Sequence, residues 1–183
     1  MENNKNNQNS NNGRRPMLTG MFADRESTEN AYNALNERGY SKDDINLMMS
    51  DDTRKKHYSD ENGHSELGNK VAEDAGRSSV IGSTVGAIAE IIAAIGTSVF
   101  IPGLGLIIAG PLAAGLAGAG AGGIAGGIIG ALVGSGIPED RAKNYEEGID
   151  KGHTVLGVHP RNDDDADYIE RSWRSNRGHD IYR

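Results

Sequence analysis

An α+β domain interrupted by a glycine-rich helical hairpin is the fold class that this sequence predicts, and three observations carry it. Residues 17–50 and 138–175 switch between the two-residue apolar period of strands and the 3.6-residue period of helices. Between them, the 60 residues from Ser78 to Ile137 carry one ionisable group, Glu90. Within that block Gly118, Gly122, Gly126, Gly130 and Gly134 recur every fourth residue. The soluble part reads as β-α-β, then the insertion, then α-β-α. This resembles a ferredoxin-like sheet in spirit, with one strand missing.

Residues 1–15 are Asn-rich and hold no apolar residue after Met1, so they read as a disordered tail. Residues 17–23 (MLTGMFA) form a first strand. Asp24 caps a helix to about Arg38 with Ala31, Leu35 and either Tyr32 or Ala34 on one face. Gly39 stands where a left-handed stop belongs, and Tyr40 supplies the apolar contact that follows it. Ser41–Asp44 make a turn, and alternation over 45–50 gives a second strand. Residues 51–77 are charged and punctuated by glycine, and read as a loop that turns helical near Leu67–Ala75.

Beyond the apolar block, Pro138 suits a first helical turn, with Glu139 and Asp140 at the positive end of the dipole. Ala142, Tyr145 and Ile149 form the stripe, and Gly152 ends it. Thr154–His159 is a third strand, in which Gly157, like Gly20 in the first, invites close approach of a helix. Asn162 opens a last helix with Ala166, Ile169 and Trp173 on one face, Trp173 covering the sheet. Residues 176–183 read as a frayed tail. The expected organisation is thus one α+β domain from 16–77 and 137–175, with 78–136 inserted. Deleting 79–136 should then leave a folded domain.

The insertion reads as two helices. Val80–Ser98 carries Gly82 and Gly86 on one face and would span about 28 Å; Pro111–Gly136 would span about 39 Å. Phe100-Ile-Pro-Gly-Leu-Gly breaks the chain between them. The five glycines in register make a side-chain-free groove, opposed by Leu116, Ile124, Ile128, Ile129, Leu132 and Val133. Glycine costs about 1 kcal/mol relative to alanine in a helix interior, so close helix contact, lipid, or both must compensate. Gly82, Gly86, Gly118, Gly122, Gly126, Gly130 and Gly134 are therefore the candidate helix–helix interface, and Glu90 a buried charge bonded to hydroxyls such as those of Thr84 or Thr97. The lengths suit a bilayer, but Glu73, Asp74, Glu139 and Asp140 beside the flanking cations blur any positive-inside signal, and the 99–111 turn offers nothing to anchor it in water. Membrane association and a water-shielded assembly both stay open.

Catalytic signals are weak. The net charge of −7 argues against a nucleic-acid partner, and zero Cys excludes thiolate chemistry and Cys-ligated metal. His57 and His64 lie seven apart in a charged loop; His153 and His159 bracket a strand too far apart for one metal. Asp163, Asp165 and Asp167 alternate like a calcium loop, but Arg174 stands where a bidentate acid belongs, so they read as a helix start. Gly103-Leu-Gly-Leu lacks the Lys-Ser/Thr of a phosphate loop. No cofactor, no metal and no enzymatic activity are expected.

The runs TGMFADRESTENAYNALNERGYSKDDINLMMSDDTR and IPGLGLIIAGPLAAGLAGAGAGGIAGGIIGALVGSGIPEDRAKNYEEGIDKGHTVLGVH resemble the bacterial heat-induced general stress proteins and similar low-temperature-induced proteins. The resemblance covers about residues 17–160. It implies a small α+β domain interrupted by a glycine-rich hairpin, in a stress-regulated protein that is not secreted, and it implies no catalytic residues. The expected function is a non-enzymatic stress protein whose hairpin mediates self-assembly, attachment to membrane lipid on the cytoplasmic side, or both. A membrane-active or pore-forming protein, and a small-ligand module on the α+β domain, are the alternatives.

Overall fold

The computed structural model describes residues 15–58, 99–101, 105–113, 127–134 and 136–183. In chain order the elements are β1 (Leu18–Phe22), α1 (Arg25–Glu37), β2 (Ile45–Ser50), α2 (Asp51–Tyr58), β3 (Val99–Ile101), β4 (Leu106–Ala109), α3 (Gly127–Gly134), α4 (Glu139–Asp150), β5 (Thr154–Val158), α5 (Asp163–Ser175) and β6 (His179–Tyr182). A single 3₁₀ turn, Lys42–Asp44, precedes β2.

Six strands form one antiparallel sheet in the order β3-β4-β2-β5-β1-β6. Both β1 and β2 are antiparallel to β5, which lies between them, so the two strands joined by α1 run parallel without touching. Strands β5 and β6 repeat this relation around β1, joined by α5. The expected β-α-β unit is present, and α+β is the class.

Strands β1, β2, β4 and β5 alternate between two cores, so each is buried on both faces of the sheet. Leu18, Phe22, Ile45, Leu47, Met49, Leu156 and Val158 face α1 and α5, where Ala31, Tyr32, Leu35, Ile169 and Trp173 meet them. Met21, Met48, Ile108 and Val155 face α3 and α4, where Ile128, Leu132, Ala142, Tyr145 and Ile149 meet them. The strands consequently read as near-continuous apolar runs with no exposed alternate side.

Local signals read from the sequence are realised at the helix ends. The Asp24 carboxylate accepts the Ser27 N–H at 2.8 Å, and Asn162 accepts that of Asp165 at 2.7 Å. Gly39 takes φ +83° and the Tyr40 N–H reaches back to Leu35 O at 3.0 Å. Gly152, at φ +92°, stops α4 in the same way, with the His153 N–H donating to Gly148 O at 2.9 Å.

Four expectations are corrected. Residues 99–101 and 106–109, read as part of a hairpin turn, are β3 and β4, and β4 pairs with β2 from Leu47↔Ala109 to Ser50↔Leu106. Gly110 (φ +95°) lets β4 end against β2, because a Cβ there would lie 2.2 Å from Ile45 O. The tail after Ser175 is not frayed: α5 is followed by β6, which pairs with β1. The start of the 51–77 loop is α2, capped by the Ser50 hydroxyl, which accepts the Thr53 N–H at 3.1 Å. Lastly, no straight helix runs from Pro111 to Gly136, because Gly127 takes φ +67° at the head of α3.

The α+β domain therefore does not stop at the boundaries of 78–136. Leu106, Ile107, Ile108, Ala109, Ala113, Ile128 and Leu132 from that span are all core residues of the sheet.

Candidate functional site

The described portion of the glycine-rich segment is α3 with its entry at 105–113. Pro111 to Ala113 form a helical turn after β4. Asn46, buried in β2, seats it: its Oδ1 accepts the Leu112 N–H at 2.8 Å, while its Nδ2 donates to Gly157 O at 3.4 Å. A buried amide whose donor and acceptor are both used fixes where the segment leaves the sheet.

In α3 the branched residues settle its orientation. Ile128 and Leu132, 6% and 0% exposed, sit in the core against the sheet and α4. The helix stops at Gly136 (φ +88°), where the Ile137 N–H donates to Leu132 O at 3.1 Å and Ile137 folds into the same core. Gly130 is half-buried, and Gly134 is exposed. An added Cβ at Gly134 meets no atom within 4 Å. Val133 beside it is 43% exposed, and among the described residues it is the large apolar side chain left open to solvent. Within α3, Ile128 and Leu132 turn to the chain's own sheet, whereas Val133, expected on the same side, lies open beside Gly134. Gly82, Gly86, Gly118, Gly122, Gly126 and Glu90 lie outside the described residues.

The sequence reading missed a buried charge cluster. The Asp165 carboxylate, 5% exposed, accepts from Arg38 Nε at 2.7 Å, Tyr40 Oη at 2.8 Å and Arg161 Nε at 3.1 Å. Burial alone would push this carboxyl up; the bonds from Tyr40, Arg38 and Arg161 outweigh it and hold it below the usual range. Arg161 also stacks 4.1 Å above the Tyr40 ring. The cluster ties the end of α1 to the start of α5, and its oxygens are saturated. The signal was present as Arg38, Tyr40 and Arg161, but their meeting depends on tertiary structure 127 residues apart in sequence.

The three alternating aspartates do not converge. Asp165 belongs to that cluster, Asp163 pairs with Arg15, and Asp167 pairs with Arg183. Among the described residues no group of three or more His, Asp or Glu is placed to hold a metal ion. His153 and His159 stay apart, but His153 meets an unexpected partner, His179, with ring centroids 5.3 Å apart.

Two clefts open at opposite ends of the sheet. One, of about 460 Å³, is lined by Asp51, Asp52, Lys56, His57, Asp150 and Lys151. The other, of about 610 Å³, is lined by Arg15, Asp43, Asp44, Asn46, His159 and Arg161. Both mix acids and bases, so neither collects charge of one sign. In the first, Asp51 is engaged by Arg54 and Lys55, at 2.8 and 2.6 Å. His57 is held below its ordinary value by burial and then by Lys56 and Arg25. The buried Tyr58 phenol is pushed up to about 12 by desolvation, so it stays protonated at neutral pH.

Comparison of the chain with protein-family models, with characterised proteins and with solved structures finds no match. Among the described residues, no helix is long and apolar enough to cross a membrane.

Proposed function

We propose that this protein is a non-enzymatic stress protein that self-assembles through its glycine-rich segment, with the α+β domain as the folded base. The observation that carries the reading is the orientation of α3. Ile128 and Leu132 are consumed by the chain's own core, while Gly134 faces outward with no atom within 4 Å of an added Cβ. A glycine surface lets a second backbone approach closely, and that approach compensates the helix cost of glycine. The stress role rests on the sequence resemblance.

A second reading, attachment of the segment to membrane lipid on the cytoplasmic side, draws on a different observation. One ionisable group in the 60 residues from Ser78 to Ile137 is a composition that lipid tolerates. Carbonate and detergent washes of native membranes, followed by sizing of the released protein, separate the two. Assembly alone gives large particles in the soluble fraction. Lipid attachment gives protein that resists carbonate and yields to detergent. A monomer in the soluble fraction contradicts both.

For the base, we read the interleaved β2-β5-β1-β6 order, with α1 and α5 on one face, as ferredoxin-like. On this reading β3, β4, α3 and α4 are additions: two strands extend one edge, and the helices cover the sheet's second face.

A further inference from the structure

The C-terminal strand rests against a pair of histidines. His153 is fixed from behind: it follows the stop of α4, and its N–H is bonded to Gly148 O at 2.9 Å. Its Nδ1 is buried without a hydrogen-bond partner, and a Cβ added to Gly148 would lie only 3.4 Å from it. His179, the first residue of β6, presents its ring at 5.3 Å with an interplanar angle of 88°. The charged groups facing the pair are Lys151, from the end of α4, and Asp180, from β6. Gly148 of α4 and Met21 of β1, opposite His179, bring no charge.

Strand β6 is paired on one side only. It lies at the sheet edge, spans four residues, and its register with β1 shifts between Thr19 and Met21. Arg177 and Asp180 both sit at positive φ, +62° and +48°, which side-chain-bearing residues adopt at a cost. What clasps it does not titrate near neutrality. The Tyr145 hydroxyl donates to Asp180 O at 2.9 Å, and the Gly178 N–H donates to Trp173 O at 2.8 Å. Arg141 lies 4.5 Å over the Tyr182 ring, and Arg183 pairs with Asp167 and Glu170.

We propose that the His153–His179 contact makes β6 an acid-releasable strap, which leaves the edge of β1 when a proton is taken up at this contact while the rest of the sheet stays folded. Neutral, the rings pack edge to face. A proton on His153 places a positive charge against the His179 ring and beside Lys151, with Asp180 as counter-charge and one nitrogen unreachable by water. Burial, then His179 and Lys151, hold His153 below its ordinary value, so the closed state binds fewer protons than the open one. The closing free energy is therefore full above the ordinary histidine value of about 6.5 and declines as pH falls below it. Release would free the N–H and C=O groups of β1 for another extended segment.

Amide hydrogen exchange on the full chain at pH 7.5 and 5.0, corrected for intrinsic rates, tests this. Protection across 177–183 should fall at least tenfold at the lower pH, while 45–50 and 154–158 keep theirs. His179→Gln, a change at a half-buried edge position, leaves His153 buried and should shrink the pH-dependent loss across 177–183, and the His153→Gln/His179→Gln pair should hold the segment equally protected at both pH values. Unchanged protection in the wild-type chain would overturn the proposal. So would a loss spread evenly over the sheet, a pH dependence undiminished in His179→Gln, or one that survives in the double variant.

Discussion

Trp173 and Gly20 fit each other at the centre of the first core. A Cβ on Gly20 would stand 2.7 Å from Trp173 Cε3, so the absence of a side chain on β1 is what admits the indole. The ring also packs edge-on to Phe22 at 5.6 Å, and its Nε1 donates to Ala31 O at 3.2 Å. Trp173→Ala should lower stability by about 3 kcal/mol or more in urea unfolding, through the cavity and the lost indole hydrogen bond. Gly20→Ala should cost about 1–3 kcal/mol by overpacking, since the clashing atoms belong to a fixed ring. A loss below about 0.5 kcal/mol for the tryptophan variant would mean that α5 does not pack as described. At Asp165 the sign of pH dependence follows from its lowered titration. The stabilisation is present above the ordinary aspartate value near 3.9 and is lost as pH falls through the folded value. Asp165→Asn should therefore remove an acid-range slope from the stability profile. A profile that keeps this slope in the variant would contradict the role given to the cluster.

Among the elements, legibility follows the strength of local signals. The strands at 18–22, 45–50 and 154–158 and the helices α1, α4 and α5 could be read because caps, stop glycines and apolar stripes agreed. Strand β4 could not. Leu106-Ile-Ile-Ala is a short apolar run, which periodicity cannot distinguish from buried helix, and glycine-rich neighbours on both sides favoured the wrong choice. Strand β6 carries His, Asp, Ile and Tyr and gains its place from β1 and Trp173 rather than from its own pattern. For α2 the Ser50 cap, leading aspartates and trailing bases were in view, but one apolar residue, Tyr58, gave no stripe to confirm them. Of the candidate site, the inward Ile128 and Leu132 were legible, and the exposure of Val133 and the left-handed break at Gly127 were not. Because β4 and α3 bury core residues, deleting 79–136 should unfold the domain rather than leave it intact. Each buried Ile or Leu removed is worth roughly 1.5–3 kcal/mol, and together they exceed the few kcal/mol by which domains are stable. Circular dichroism of the deletion product decides this: a native-like thermal transition would show that the added strands and helix are dispensable.

At the scale of the whole molecule, α3 closes the chain's own core with Ile128 and Leu132 and leaves Gly134 and Val133 exposed. Both faces of the sheet are covered, one by α1 and α5, the other by α3 and α4. The proposed outlet for assembly is then the glycine side of the apolar segment, of which Gly134 is the described outer end. Gly134→Leu gives the most direct measurement of that claim. The position is free of positive φ, and an added Cβ meets nothing within 4 Å, so the monomer's fold should accept the larger residue. A second backbone docked there would not. Light scattering of the full-length chain, in buffer and in mild detergent, should give a smaller particle for Gly134→Leu than for wild type, at unchanged helical content, with Gly134→Ala in between. If Gly134→Leu keeps the wild-type particle size in both media, the glycine face is not a contact surface and the assembly function is wrong.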